Sequence, residues 1–169
     1  MELRSLTQCW ADTLEVRVQS WIATAGTLLL YGSSAALAED LAQDVRTALH
    51  GADRVELLSL EPTKDSSQSA FHGWKVLGST VVTDPSTLAA ALDKGMAEAY
   101  AIAGCWSPRH GVRINRGSSV MDLVICFHCQ QIAAYVDGEA VAGAATTKSP
   151  QRVLDAILKK AGVRLARSH

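Results

Sequence analysis

From Glu39 onward the apolar positions follow a sequence of clear periods. Leu41, Val45 and Leu49 recur every fourth residue with Ala42 and Ala48 beside them, and Glu39, Asp40 and Asp44 lie toward the N-terminal end. That spacing predicts a short amphipathic helix whose start carries the anions its dipole favours. Gly51-Ala52-Asp53 breaks it. Arg54 to Leu60 is apolar on both faces and reads as a strand, and Glu61 to Ser69, with Pro62 near its start and several Ser, reads as a polar loop. Trp74 to Thr83 is a second extended run. Asp84-Pro85 then supplies an N-cap and a proline at the first helical position, opening a helix through about Ala101 with Leu88, Leu92, Met96 and Ala99 on one face.

A hairpin is expected next, with Gly111 to Asn115 and Ser119 to Val136 as its arms and Arg116-Gly117-Ser118 as its loop. Centring the pairing on Gly117 sets Arg113 opposite Met121, Gly111 opposite Leu123 and, if pairing persists through Pro108, Cys105 opposite Cys129. Alternation puts Met121, Leu123, Ile125, Phe127 and Cys129 on one face and Asp122, Val124, Cys126 and His128 on the other. After the turn dipeptide Asp137-Gly138, Glu139 to Thr147 reads as a further strand. Ser149-Pro150 opens a closing helix with Val153, Leu154, Ile157, Leu158 and Ala161 inward and Gly162 at its end. The pattern predicts an α+β fold over residues 39–169, a mainly antiparallel sheet with helices packed on one face.

The first 38 residues differ in kind. Val18 to Ala38 carries no charge, and Ala36-Leu37-Ala38 precedes Glu39-Asp40 as an A-x-A export signal precedes its cleavage point. The residues before it, with Glu2, Asp12 and Glu15 against Arg4 and Arg17, lack the expected positive charge, which a start codon placed too far upstream explains. The segment therefore predicts a periplasmic or otherwise exported mature chain. The alternatives are a membrane anchor that is never cleaved, the only membrane contact expected, or a buried helix of a cytoplasmic protein.

Charge excludes one class of partner. The chain has 16 Lys and Arg against 17 Asp and Glu, without the basic field that nucleic-acid binding requires. The cations near the C-terminus (Arg152, Lys159, Lys160, Arg164, Arg167) complement the dipole of the last helix.

Candidate chemistry concentrates in Cys105 to Cys129, which holds three of the four cysteines, two of the five histidines and three arginines. In an exported chain a disulfide from Cys105 is expected, to Cys129 on register or to Cys126 as runner-up. It closes a loop of about 24 residues, worth about 3 kcal/mol. Cys9 leaves with the signal, so one of the three remaining thiols stays unpaired in the monomer. The competing readings are a zinc or copper site from Cys105, His110, Cys126 and Cys129, or a thiol-dependent enzyme. Strand alternation opposes a shared metal by pointing Cys126 and Cys129 apart, unless a bulge or a tight knuckle intervenes. Catalysis would use Cys126 with His128, oriented by Asp122, near Arg109 and His110, whose charge favours a thiolate. Arg109 is either functional or paired with Asp122. His72-Gly73-Trp74 beside Phe71 could line a pocket but reads first as core.

The runs C-W-S-P-R-H-G-V-R-I, D-L-V-I-C-F-H-C, F-H-G-W-K-V-L-G and T-T-K-S-P-Q-R-V-L-D together resemble a family of small bacterial proteins of uncharacterised activity. The resemblance spans about Val55 to Ala166. It implies an exported or lipid-anchored N-terminus and adds weight to the Cys/His segment without implying a substrate. Trp106 stands where the family has Phe, and His128 where an acidic residue is common, which puts a required role for His128 in doubt.

Overall fold

The computed structural model describes residues 34–67, 70–101 and 103–167, with side chains from residue 41 on. Helix α1 (Ser34–His50) leads into β1 (Arg54–Lys64) and β2 (Trp74–Val81), followed by α2 (Pro85–Ala97). Strands β3 (His110–Arg116), β4 (Ser119–Cys126), β5 (Gln131–Val136) and β6 (Glu139–Ala145) come next, and α3 (Gln151–Lys160) closes the chain. All six strands form one sheet in the order β2-β1-β3-β4-β5-β6 with every neighbour antiparallel. The expected α+β fold is present. Among the described residues no helix is long and apolar enough to cross a membrane. The uncharged run before Ser34 lies outside the described residues.

The two faces of the sheet are covered differently. Leu41, Val45 and Leu49 of α1, Leu88, Leu92 and Met96 of α2, and Leu154 and Leu158 of α3 bury against Val55, Leu57, Val112, Ile114, Leu123, Ile125, Ile132 and Ala134. All three helices therefore occupy one face, as the four-residue spacings require. The opposite face carries Leu58, Leu60, Val124 and Ala133, covered by Phe71, Trp74 and the partly buried Trp106 and Tyr135. Phe71 and Trp106 come from irregular segments, Trp74 from the start of β2 and Tyr135 from β5, so Phe71 and Trp74, on either side of His72-Gly73, belong to a second, smaller core. Gly111 makes that core possible, because a Cβ there would lie 2.7 Å from Phe71 Cε1.

Local chemistry sets the element ends. Asp84 caps α2, accepting from the backbone N–H groups of Ser86 and Thr87. Hydrogen bonds from the Ser86 and Thr87 side chains, with the Thr87 N–H, lower its carboxyl to about 2. Gly162, at φ 72°, ends α3. β1 runs on to Lys64, through a register irregularity between Glu61 and Lys64, into what the polar composition predicts as loop. Only Leu154 and Leu158 of α3 are fully buried.

The β3–β4 register differs from expectation by one residue. Arg113 pairs with Asp122 and Ile114 with Met121, because the loop is the two-residue Gly117-Ser118, with Gly117 at φ 57°.

Gly95 of α2 is buried against the start of α3. A Cβ there would lie 2.7 Å from Thr146 Oγ1 and would meet the Pro150 ring. Gly95→Ala gains helix propensity of up to about 1 kcal/mol, but overpacking of about 1–3 kcal/mol outweighs it. Its urea midpoint is expected to fall; a raised midpoint would show that Pro150 yields freely.

Candidate functional site

The long arm expected from Ser119 to Val136 is two strands. β4 ends at Cys126, which pairs with Gln131 at the start of β5, and Phe127 to Gln130 form a turn between them. Gln130 makes the reversal in a left-handed conformation at φ 57°, a cost of about 1–2 kcal/mol for a residue with a Cβ. The pairing of β4 with β5 on one side and of Thr146 N–H with Gln130 O at 3.0 Å on the other hold it there. Cys126 and Cys129 therefore do not stand on opposite faces of one strand. The Cys126-Phe127-His128-Cys129 turn is a knuckle, and Cys129 N–H donates to Cys126 Sγ at 3.2 Å.

Cys105 reaches this turn from an irregular segment, since the β3–β4 ladder stops at His110 opposite Ile125. Ala103 N–H donates to Cys129 O at 3.0 Å, Gln131 Nε2 donates to Ala103 O, and Ser107 N–H donates to Cys126 Sγ at 3.4 Å. The segment thus wraps the knuckle. Cys105 and Cys129 form a disulfide across a Cα–Cα distance of 5.4 Å, and Cys126 is a free, buried thiol. The sulfurs of Cys105, Cys126 and Cys129 all lie within 4.8 Å of one another. Cys126 and Cys129 are fully buried, and Cys105 is partly exposed.

Three sulfurs this close support thiol–disulfide chemistry or, once the disulfide is reduced, the binding of a soft cation. His110 does not join them. Its Nε2 lies 2.8 Å from Asp155 Oδ1 of α3, and that hydrogen bond, against an opposing push from burial, keeps the Asp155 carboxyl below its ordinary value. His110 Nδ1 is buried without a hydrogen-bond partner, as is the hydroxyl of Ser59, the residue paired with His110 across β1 and β3.

The remaining candidates separate. Arg109, His110 and His128 line one cleft of about 300 Å³ with Ser107, Lys148 and Asp155. Cys126 and Asp122 do not line it. His128 sits exposed on the turn while Cys126 is buried at the end of β4, so the sharing of one face by these two, on which thiol catalysis depended, does not hold. Arg109 donates to the backbone carbonyl of Arg167. No ion pair joins it to Asp122, whose carboxylate is taken by Arg113 (Nε to Oδ1 2.8 Å, Nη2 to Oδ2 2.7 Å) and His72 (Nε2 to Oδ2 2.8 Å). Burial pushes the Asp122 carboxyl up, but the hydrogen bonds from Arg113 and His72 together outweigh it and the net shift is downward. The His72 ring stacks on Tyr135 at 3.7 Å between centroids.

Arg113, Asp155 and Gln131 are not among the residues the sequence singles out, and His72 is singled out only as a pocket-lining or core residue. Arg113 was recoverable, since a one-residue change of register sets it opposite Asp122. His72 and Asp155 had no local signal, their partners lying 50 and 45 residues away. Comparison with family models, with curated proteins and with solved structures finds no match to this chain.

Proposed function

We propose that this chain is an extracytoplasmic binding domain, held by its Cys105–Cys129 disulfide, whose working centre is the three-cysteine cluster. When a dithiol reductant opens the disulfide, the three sulfurs take one soft cation. The observation that carries this reading is the mutual approach of the three Sγ atoms to within 4.8 Å. At metal–sulfur bonds of about 2.3 Å, ligand sulfurs lie roughly 4 Å apart, so modest shifts complete the site. Cys126 already accepts two backbone N–H bonds, as an anionic ligand needs.

Monovalent copper fits better than zinc. Zinc asks for a fourth ligand; no His, Asp or Glu joins the three cysteines among the described residues, and His110 is engaged with Asp155. Burial of Cys126 and Cys129 also restricts a water from completing a tetrahedron. Export is supported by the uncharged run ending in Ala36-Leu37-Ala38 and by the family resemblance. An exported chain meets an oxidising compartment, where the disulfide is the resting state.

The test is an anaerobic titration of the reduced protein with Cu(I) and, separately, zinc. One copper per chain is expected, with a sulfur-to-metal charge-transfer band that Cys105→Ser, Cys126→Ser and Cys129→Ser each remove. Zinc bound tightly at one per chain would replace the copper assignment. Copper uptake unaffected by Cys126→Ser would overturn the three-sulfur site.

A further inference from the structure

The thiol that the disulfide leaves over is placed against the bond itself. Cys126 Sγ lies within 4.8 Å of both bonded sulfurs and accepts N–H bonds from Cys129 at 3.2 Å and Ser107 at 3.4 Å. These contacts hold the Cys126 sulfur beside the bond, and the thiolate is the form that attacks a disulfide. Which bonded sulfur it displaces depends on what must leave. Attack on Cys105 would expel a Cys129 thiolate where no surface is exposed, and a charge left there is poorly solvated. Attack on Cys129 expels Cys105, the one residue of the three with exposed surface. A better-solvated thiolate leaves faster.

The geometry points to an internal disulfide transfer that makes Cys105, and not the resting free thiol Cys126, the reactive cysteine of this protein. Cys126 loses its proton and its Sγ attacks Cys129 Sγ. The Cys126–Cys129 bond forms as the Cys105–Cys129 bond breaks, and the electron pair of the broken bond leaves on Cys105 Sγ, which takes up a proton. No electrons enter or leave, so no external oxidant or reductant is needed. The knuckle suits the product, since it holds Cys126 and Cys129 together through the turn. The class of partner that the released Cys105 would take is an accessible disulfide: Cys105 Sγ, on losing its proton, bonds to one partner sulfur as the partner's S–S bond breaks, and the other partner sulfur leaves as a thiolate that takes up a proton.

The transfer rests on the disulfide of the proposed reading but not on the cation, so its test is run in chelator on oxidised, folded, full-length protein. A non-reducing digest quenched in acid first establishes Cys105–Cys129 as the resident link. Iodoacetamide is then added at neutral pH and the peptides are mapped without reduction. The adduct is expected on Cys105, with a Cys126–Cys129 link, in at least roughly tenfold excess over adduct on Cys126, because a buried thiol reacts slowly. Cys126→Ser is expected to abolish labelling at Cys105, because the thiol placed against the bond is gone. An adduct on Cys126 with Cys105–Cys129 intact overturns the transfer, as does the absence of adduct in folded protein that labels once unfolded in urea. Copper uptake that fails while Cys105 still labels would leave the transfer standing alone, and the converse would leave only the metal site.

Discussion

Cys105→Ser is expected to lower the unfolding free energy by about 2–5 kcal/mol. It deletes the one member of the three-cysteine cluster outside the Cys126–Cys129 turn, and the remaining two cannot close the loop of sequence separation 24. Cys129→Ser is expected to cost distinctly less after air oxidation, because Cys126, within 4.8 Å of Cys105, can take its place and close a loop of nearly the same length. The Cys126→Ser/Cys129→Ser double variant removes that substitute and should fall to the level of Cys105→Ser. Cys126→Ser alone, which leaves the native link and retains an acceptor for the Ser107 and Cys129 N–H groups, should cost about 1 kcal/mol. Urea midpoints measured with and without reductant decide the matter, since reductant should erase most of the difference between wild type and Cys105→Ser. Equal losses from Cys105→Ser and Cys129→Ser in oxidised protein would show that Cys126 cannot substitute.

Arg113→Ala is expected to cost about 2 kcal/mol at neutral pH, less than the 3–5 kcal/mol of a fully buried pair. Asp122 is nearly fully buried, but the Arg113 side chain is 42% exposed, so part of its charge is already solvated. What remains after the substitution is a buried carboxylate with His72 alone beside it, and a Phe71 ring that has lost its covering guanidinium. The pH dependence has a definite sign. Because the folded-state value of Asp122 is lowered, its contribution is fully present above the unfolded value of about 4 and is lost as pH falls through the folded value. Without Arg113 the burial of that carboxyl is less opposed, so the gap between variant and wild type should narrow as pH falls from the variant's higher folded value through the wild type's lowered one. A gap that stays constant from pH 7 to pH 3 would show that the loss is one of packing.

How far the fold could be read in advance depended on where the signals were local. The helical spacings of Leu41, Val45 and Leu49, the Asp84-Pro85 start of α2 and the alternation along β4 are properties of neighbouring residues, and all three appear in the structure. The break between β4 and β5 was hidden because Leu123 to Val136 is rich in strand formers and has no Gly or Pro. Its turn is made by Gln130, a residue with no special claim to a left-handed conformation, stabilised by neighbouring strands that only the tertiary structure supplies. The hairpin register failed for a smaller reason. Gly117 serves a two-residue or a three-residue loop, and a slip of one residue exchanged Met121 for Asp122 opposite Arg113. The Cys105–Cys129 pairing was expected from an extended ladder and is instead delivered by an irregular segment hydrogen-bonded around the knuckle.

The first helix imposes an order of events on any maturation of this chain. α1 runs from Ser34 to His50, so the Ala38–Glu39 bond lies inside its hydrogen-bonded backbone. A peptidase needs its substrate unwound and accessible, and a cut after Ala38 must therefore precede the docking of this helix. Among the described side chains, the apolar residues that anchor α1, Leu41, Val45 and Leu49, lie beyond that bond. A shortened helix would keep these three contacts, and Glu39 and Asp40 would stand at its new start to offset the freshly created amino terminus.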